Sequence, residues 1–341
     1  MIRRACALWG VSALLLAALP AVGAEDLPLL IRSWPVAMSE AVSDSATFGR
    51  LRPRGMLQLP SFYVGDIRFS QLSALAWDDD DDILYALSDK GFLFHLRPIF
   101  ENGALIGVTL LKAVHLTELN GKPLKKLRAD SEGLDILNGR NGIKGDAELL
   151  VSFERRPRIM RYRPDGKALG ELPLPAALAE PSNYHAANEM LESVCADPML
   201  GVLTAPEMPL KNEPVDSTHI FSLSGKSWRY PATKGFGISA MECLGDGRVL
   251  VLERSFGHFF GRNAVALKQT TLPATPKSGE LLHVTDIATL DLAAGHRIDN
   301  FEGLARHKEN RFFMISDDND LFVQRTLLLY VELPAEPAVP Q

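Results

Sequence analysis

Carboxylates recur at two offsets along the chain, and this repetition is the clearest chemical signal in the sequence. The first set opens successive units with an acidic or hydroxyl residue: Ser73, Glu132, Glu192, Ser239 and Glu302. The second set supplies one acid later in each unit: Asp89, Glu154, Glu207, Glu253 and Asp317. Three of those acids are followed at once by a cation, namely Lys90, Arg155 and Arg254. Grouped carboxylates can hold hard cations such as Ca²⁺, and neighbouring Lys and Arg can bind phosphate.

The elements that must position these residues form a repeat, because the first set is spaced by 59, 60, 47 and 63 residues. A strongly apolar, β-type run follows in every unit, at 83–87, 149–153, 201–204, 249–252 and 312–315. Asp-Gly pairs at 165–166 and 246–247 lie between such runs and are typical of tight hairpin turns. The pattern predicts an all-β protein, a β-propeller of five or six four-stranded blades.

The number of blades depends on two segments at the ends of the repeat. Residues 55–69 and the last strand, 327–333, could form a sixth blade, or they could close a ring of five. The main alternative architecture is a β-sandwich with irregular loops, which does not predict a period of about sixty residues with the same residues at the same offsets.

A propeller would bring both carboxylate sets to one place. The first and second strands of a blade are antiparallel, so the start of one and the end of the other lie on the same face of the disc. All ten positions should therefore surround one mouth of the central channel. Two interpretations of such a ring stay open. In the first, each acid caps its own blade by accepting backbone N–H bonds or by pairing with a neighbouring Arg or Lys. In the second, the acids together bind cations.

Several of these segments resemble motifs of the phytase-like family, also described as "esterase-like activity of phytase". The similarity covers roughly residues 66–330 and rests on Asp130-Ser131-Glu132-Gly133-Leu134, Asn300-Phe301-Glu302-Gly303-Leu304, Ser316-Asp317-Asp318 and Leu250-Val251-Leu252-Glu253-Arg254. The resemblance implies a β-propeller and suggests hydrolysis of phosphate esters or other esters.

The resulting hypothesis is a metal-dependent hydrolase of phosphate esters, in which a cation-bound water attacks a small phosphorylated substrate. The Ca²⁺ ligands would be Glu132, Glu154, Glu192, Glu253, Glu302 and Asp317, and the phosphoryl oxygens would meet Lys90, Arg155 and Arg254. No residue is assigned as the catalytic acid or base. The alternative function is a non-catalytic propeller that binds a small ligand or a protein partner at the same mouth.

The first 24 residues are predicted to be a cleaved export signal. Arg3 and Arg4 form a basic start, an apolar stretch at 9–19 follows, and the small residues 21–24 precede Glu25. The mature protein would then lie in the periplasm or be secreted. No later segment has the length and apolarity of a membrane-spanning helix.

Removing Arg3 and Arg4 leaves 34 of the 36 basic side chains against 42 acidic ones, a net charge near −8. This balance gives no electrostatic support for nucleic-acid binding. The predicted organisation is an irregular segment at 25–50, a single propeller domain at 51–333 and a Pro-rich tail at 334–341. Cys195 and Cys243 could pair in an oxidising compartment or remain two separate buried cysteines.

Overall fold

A computed structural model describes residues 21–23, 26–39, 47–255 and 263–333 of the 341-residue chain. Most of the predicted export signal, residues 1–20 and 24, and the Pro-rich tail at 334–341 lie outside the described residues. Of the predicted irregular segment at 25–50, residues 26–39 and 47–50 are described, and they contribute only two strands of two residues each, β2 (Leu29–Leu30) and β3 (Trp34–Pro35).

The described residues form five antiparallel blades, as the repeat predicts. From the inner strand outward, the first blade contains β7 (Leu72–Asp78), β8 (Ile83–Ser88), β9 (Phe92–Glu101) and β10 (Ala104–His115), with β2 (Leu29–Leu30) at its edge. The second contains β11 (Ser131–Leu137), β12 (Glu148–Phe153), β13 (Arg158–Tyr162) and β14 (Ala168–Leu172). The third contains β15 (Leu191–Asp197), β16 (Gly201–Pro206), β17 (Thr218–Ser222) and β18 (Ser227–Tyr230). The fourth contains β19 (Gly237–Cys243), β20 (Arg248–Ser255), β21 (Ala264–Thr271) and β22 (Val284–Asp291).

The fifth blade closes the ring with strands from both ends of the propeller. It contains β23 (Asn300–Arg306), β24 (Arg311–Asp317), β25 (Thr326–Glu332) and β4 (Arg52–Leu59), with β3 (Trp34–Pro35) at its edge. Because β4 pairs antiparallel with β25, residues 55–59 and the last strand close a ring of five, whereas residues 62–64 and 67–69 belong to a separate small sheet. The first and last strands of the ring are thereby held in one sheet.

The remaining elements are small. A three-stranded sheet is formed by β1 (Ala21–Val22), β5 (Phe62–Val64) and β6 (Ile67–Phe69). The helices are α1 (Ala176–Ala179) and the 3₁₀ turns Lys126–Arg128, Pro181–Asn183 and Leu292–Ala294. None of the described helices is long and apolar enough to cross a membrane.

Apolar side chains fill the space between neighbouring blades. Five buried clusters lie one at each junction, and the cluster between the first and fifth blades includes Leu75, Trp77, Phe313 and Leu328. The inner strands β7, β11, β15, β19 and β23 also contact one another in order around the ring. Burial of this apolar surface is the main term that holds a radial arrangement of sheets together.

The channel at the centre of the ring is blocked by one aliphatic side chain from each inner strand. These side chains, which we call the aliphatic ring, are Leu75, Leu134, Val194, Met241 and Leu304. The space left among them is only about 10 Å³, close to the lower limit for one water molecule. The two mouths of the channel are therefore separate cavities.

A disulfide joins Cys195 on β15 to Cys243 on β19, with 5.6 Å between their Cα atoms. Of the two possibilities that the sequence left open, the structure thus has the paired one. The bridge links the inner strands of the third and fourth blades, which lie side by side at the channel.

Candidate functional site

A cleft of about 730 Å³ lies at one mouth of the channel, and acidic side chains dominate its lining. Among the described residues, the lining carboxylates are Asp89, Asp130, Glu132, Glu154, Glu189, Glu192, Glu207, Glu302 and Asp317. Only two described cations, Arg155 and Arg254, line the same space. Such an excess of like charge in a confined volume is unfavourable unless protons, cations or ion pairs compensate for it.

A β-bulge aims each acid of the first set at this cleft. The pairing register of every inner strand shifts by one residue at the repeat position, for example between Ser131 and Gly133, so that Glu132 has no partner on β12. The same shift occurs at Glu192 and Glu302. A bulge turns its extra side chain away from the regular alternation of the strand. These three acids thus lie near the start of innermost strands on one face of the disc, as the sequence predicts.

The glycine that follows two of the bulges permits close contact between blades. A Cβ atom on Gly133 would lie 2.3 Å from Ser152 Oγ and 2.8 Å from the carbonyl oxygen of Glu192 in the next blade. On Gly303 it would lie 3.0 Å from the Cα atom of Ala74 in the first blade and 2.5 Å from Ile315 Cγ2 in its own blade. In the Glu-Gly-Leu motif, the glutamate therefore lines the cleft, the glycine allows neighbouring blades to pack closely, and the leucine belongs to the aliphatic ring.

The serines at the same repeat position bond to the backbone of the next blade and do not extend into the cleft. Ser73 Oγ donates to the carbonyl oxygen of Ser131, 2.8 Å away in the next blade. Ser239 Oγ likewise lies 3.4 Å from the carbonyl oxygen of Phe301. A short hydroxyl reaches the neighbouring backbone where a longer carboxylate extends into the cleft, so the bulge position is structural in two blades.

The register corrects one residue of the predicted metal set. The repeat alignment grouped Glu253 with Glu154, but pairing shows that Glu253 is opposite Ile238, as Phe153 is opposite Ser131. The Glu253 carboxylate is fully buried behind the cleft wall, where it accepts from Tyr230 Oη at 2.8 Å. Its Oε2 lies 3.2 Å from Lys268 Nζ. Glu253 therefore does not reach the cleft.

Arg254 occupies the place that carboxylates hold in the other four blades, where the equivalent residues are Asp89, Glu154, Glu207 and Asp317. Its Nη2 lies 3.2 Å from Glu207 Oε1, 3.2 Å from Glu302 Oε1 and 3.6 Å from Glu192 Oε1. Burial alone would lower the pKa of Arg254, but these three carboxylates outweigh it and raise the pKa. The guanidinium is a cation built into the acidic ring.

The other two predicted cations lie farther from the centre of the ring. Arg155 lines the cleft with 42% of its side chain exposed, and its Nε donates to Asp130 Oδ2 at 2.5 Å. Lys90 is outside the lining residues and pairs with Asp89, with 2.7 Å between Nζ and Oδ2. The structure thus brings Arg155 and Arg254 to the cleft and leaves Lys90 at its outer edge.

Two groups of three carboxylates have ligand atoms close enough to share one cation. They are Asp130 with Glu132 and Glu154, and Glu154 with Glu192 and Glu207; within each group the ligand atoms lie within 4.8 Å of one another. Glu154 belongs to both groups. In the described part of the chain, no backbone hydrogen bond acts on the carboxyl groups of Glu132 or Glu154, so backbone capping does not account for these two acids.

Burial and mutual repulsion raise the pKa of several carboxyl groups in the cleft. Burial, together with the nearby Glu207 and Asp130, raises the pKa of Glu154 to about 8. Burial also raises the pKa of Glu302 to about 7, although Arg254 acts in the opposite direction. The pKa of Glu132 is raised well above its ordinary value by burial and by Glu192 and Glu302.

We expect the stability of the cation-free protein to fall as the pH rises from about 4.5 to about 8. An unfolded chain loses these protons near pH 4.5, whereas the folded one keeps them up to about pH 7 for Glu302 and about pH 8 for Glu154. Between those limits the folded state binds more protons, so the free energy of unfolding decreases as the pH rises. Denaturant unfolding in chelator at pH 5, 6.5 and 8 measures this. Higher stability at pH 8 than at pH 5 would contradict it.

Sequence reasoning found most of the cleft but missed part of its wall. Asp130, Asn188, Glu189 and Asn300 line the space and were not assigned to the site. Asp130 and Asn300 each lie two residues before a bulge glutamate. Asn300 pairs with Asp317 at the end of β24, and the carbonyl oxygen of Asp130 accepts from the backbone N of Glu154, just after β12. That constant offset was available as a signal. Asn188 and Glu189 lie in a long connection whose path no repeat predicts.

Comparisons with known proteins find both a family and similar folds. The model of a family described as "Phytase-like: Esterase-like activity of phytase" matches residues 67–320. No curated protein matches significantly. One similar solved structure is described as the crystal structure of a mitotic checkpoint complex, at 10% identity, a TM-score of 0.36 and 97% coverage of each chain. The β-propeller domain of Myceliophteria thermophila Cps50 (Swd1) has 8% identity and a TM-score of 0.38, covering 90% of this chain and all of that one. A Dos1 propeller has 9% identity and a TM-score of 0.31, covering 82% of this chain and 74% of that one.

Proposed function

Since the chain belongs to the phytase-like family, we propose that it is a hydrolase of phosphate esters that works in the acidic cleft and depends on a divalent cation such as Ca²⁺. The observation that carries the proposal is the pair of carboxylate groups that share Glu154. Two cations held by a common carboxylate are a recurrent arrangement for phosphoryl transfer.

The donor set fits a hard cation. All of its members are carboxylates, and among the described residues no His or Cys lines this cleft. Oxygen-only sets suit Ca²⁺ or Mg²⁺ and disfavour softer metals. Asp89 also has a buried carboxylate oxygen, Oδ1, without a hydrogen-bond partner in the described part of the chain, as expected of a group that awaits a ligand.

Different side chains of the cleft would bind the cation and the phosphate group. A bound Ca²⁺ would neutralise phosphoryl oxygens and activate a water molecule. Asp130, Glu132 and Glu154 would hold it, and the half-exposed Arg155 would bind a phosphoryl oxygen at the rim. In the reaction, the water oxygen bonds to phosphorus, the bond between phosphorus and the alcohol oxygen breaks, and a proton passes to the alcohol. The products are inorganic phosphate and the free alcohol.

The test is turnover of a generic aryl phosphate by purified protein, with added Ca²⁺ and with chelator, alongside a measurement of bound metal. We expect hydrolysis with Ca²⁺ and none with chelator. Metal binding without turnover of any ester would favour the second candidate, a non-catalytic propeller that binds a ligand or partner at this mouth. The observation that supports this second candidate is Arg254, which already neutralises part of the ring.

We also propose that the protein is exported and that its mature chain begins at or near Glu25. The charge, apolar and small-residue order of the first 24 residues supports this, and so does the disulfide, since such bonds persist in oxidising compartments. Cleavage would remove β1, which contributes only two residues to its sheet. N-terminal sequencing of the exported protein is expected to start there. An intact Met1 terminus in the membrane fraction would show an uncleaved anchor instead.

A further inference from the structure

The loop between β24 and β25, which contributes Leu321 to the lining of the acidic cleft, carries three consecutive exposed apolar side chains. Leu321, Phe322 and Val323 are 52%, 100% and 64% exposed. Single exposed apolar residues are ordinary, but a run of them is unfavourable unless it serves binding. Leu321 lines the cleft itself, together with Asn319 and Gln324 from the same loop. Any ligand that fills the cleft on this side therefore meets apolar surface.

The loop is held rigidly in this position by its own polar residues. Asp318 Oδ2 accepts from Ser61 Oγ at 3.1 Å and from Thr326 Oγ1 at 2.9 Å, while its Oδ1 accepts from the backbone N of Gln71 at 3.1 Å. Arg68 Nη1 donates to Asp320 Oδ2 at 2.6 Å. These bonds tie the base of the loop to the segment before the first blade, so the exposure of its tip is built into the fold.

The backbone of the loop is also strained in a way that supports a specific role. Asn319 and Asp320 both adopt positive φ, 46° and 54°, a region that residues with a Cβ enter at a cost. Strain of this kind persists where surrounding bonds enforce it, and it gathers at ligand-binding segments. In addition, Gln324 Oε1 is buried without a hydrogen-bond partner among the described residues, and Gln324 lines the cleft.

We propose that the substrates are phosphate monoesters of apolar alcohols, with the phosphate in the acidic cleft and the alkyl or aryl group against Leu321, Phe322 and Val323. This inference rests on the proposed function for the position of the phosphate. The alcohol must leave the cleft on one side, and the apolar loop is the part of the rim that favours a group without polar atoms. A highly charged polyphosphate would gain nothing from this loop.

The test compares n-butyl and n-octyl phosphate, whose leaving groups are chemically alike, so the ratio of their kcat/KM values reports contact with the extra methylenes. We expect octyl phosphate to be preferred by about tenfold or more, since each buried methylene adds to binding. Leu321→Ser combined with Phe322→Ser should bring the ratio near one, and Phe322→Ser alone should lower it. Because Phe322 is wholly exposed, this change removes no packing from the fold. The matched control is Ile143→Ser, an apolar residue 59% exposed on the opposite face, which should keep the ratio of the natural protein.

A binding measurement separates this inference from the proposed function. Calorimetry with n-octylphosphonate and n-butylphosphonate in Ca²⁺ needs no turnover. Tighter binding of the octyl compound that Leu321→Ser combined with Phe322→Ser abolishes would support apolar phosphates as ligands of the cleft even if no ester is hydrolysed. Hydrolysis with equal rates for both chain lengths would overturn the inference and leave the hydrolase standing. A dimer that Phe322→Ser converts to a monomer would also overturn it, since the loop would then be a self-association surface.

Discussion

Replacing Arg254 with methionine is expected to lower the free energy of unfolding by about 3–5 kcal/mol at pH 8. The substitution leaves the buried carboxylates of Glu192, Glu207 and Glu302 without the cation that pairs with them. Methionine keeps an unbranched side chain of similar length, so the loss reports charge rather than shape. Denaturant unfolding in chelator measures it. At pH 5 the penalty should shrink, because protonated carboxyl groups no longer need a counter-charge.

Arg155→Met is the matched control for that experiment. Its guanidinium is 42% exposed and pairs with Asp130 at the rim, so its loss should cost less than about 1 kcal/mol. Added Ca²⁺ should restore part of the stability of Arg254→Met, since a divalent ion can take the vacated position among the acids. Equal stability of Arg254→Met and the natural protein from pH 5 to 8 would mean that the ring does not depend on this residue.

Replacing Glu154 with glutamine is expected to remove most of the stabilisation that Ca²⁺ confers. At a Ca²⁺ concentration about 100 times its Kd, the natural protein should gain about 2.7 kcal/mol over the protein in chelator. An amide keeps the size of the side chain but loses the charge that a hard cation requires, and Glu154 belongs to both carboxylate groups. A loss of about 100-fold in affinity would leave a gain of only about 0.4 kcal/mol at the same concentration.

Two further variants define the specificity of that effect in thermal melts. Glu132→Gln affects only one carboxylate group and should give an intermediate response. Glu148→Gln alters a glutamate of the same blade that pairs with Arg161 away from the cleft, and it should respond like the natural protein. If the natural protein melts at the same temperature in Ca²⁺ and in chelator, the acids have only a structural role and the proposed dependence of the hydrolase on Ca²⁺ is wrong.

The propeller could be predicted from the sequence because the fold repeats a local pattern. A bulge residue, a small residue and an aliphatic occupy the same offsets in each inner strand, as in Glu132-Gly133-Leu134. The sequence also indicated the two segments at the ring closure, but it left open whether they close a ring of five or form a sixth blade, because β4 and β25 are almost the whole domain apart in sequence. Residue types alone do not specify which distant strands pair.

The error at Glu253 shows the limit of alignment by residue type. Glu154-Arg155 and Glu253-Arg254 are the same dipeptide after an apolar run, so the sequence favours aligning them. The fourth blade is offset by one residue, which buries Glu253 and turns Arg254 to the cleft, because successive residues of a strand face opposite sides. Only the register, which depends on the bulge at Ser239, distinguishes the two alignments.

The disulfide, by contrast, had a usable signal. Cys195 lies three residues after the bulge at Glu192, and Cys243 lies four residues after the bulge at Ser239. Nearly equal offsets in consecutive repeats place both thiols at similar depth on neighbouring inner strands. The sequence spacing of the two cysteines, taken without the repeat, predicts nothing of this kind.

Because of the aliphatic ring, the cleft opens to solvent on one face of the disc only. Since Leu75, Leu134, Val194, Met241 and Leu304 leave only about 10 Å³ among them, a molecule of substrate size that enters at the acidic mouth must leave by the same mouth. Under the proposed function, the ester and the phosphate product therefore use the same opening. Inorganic phosphate is expected to compete directly with substrate, and turnover should slow as product accumulates even while most of the ester remains.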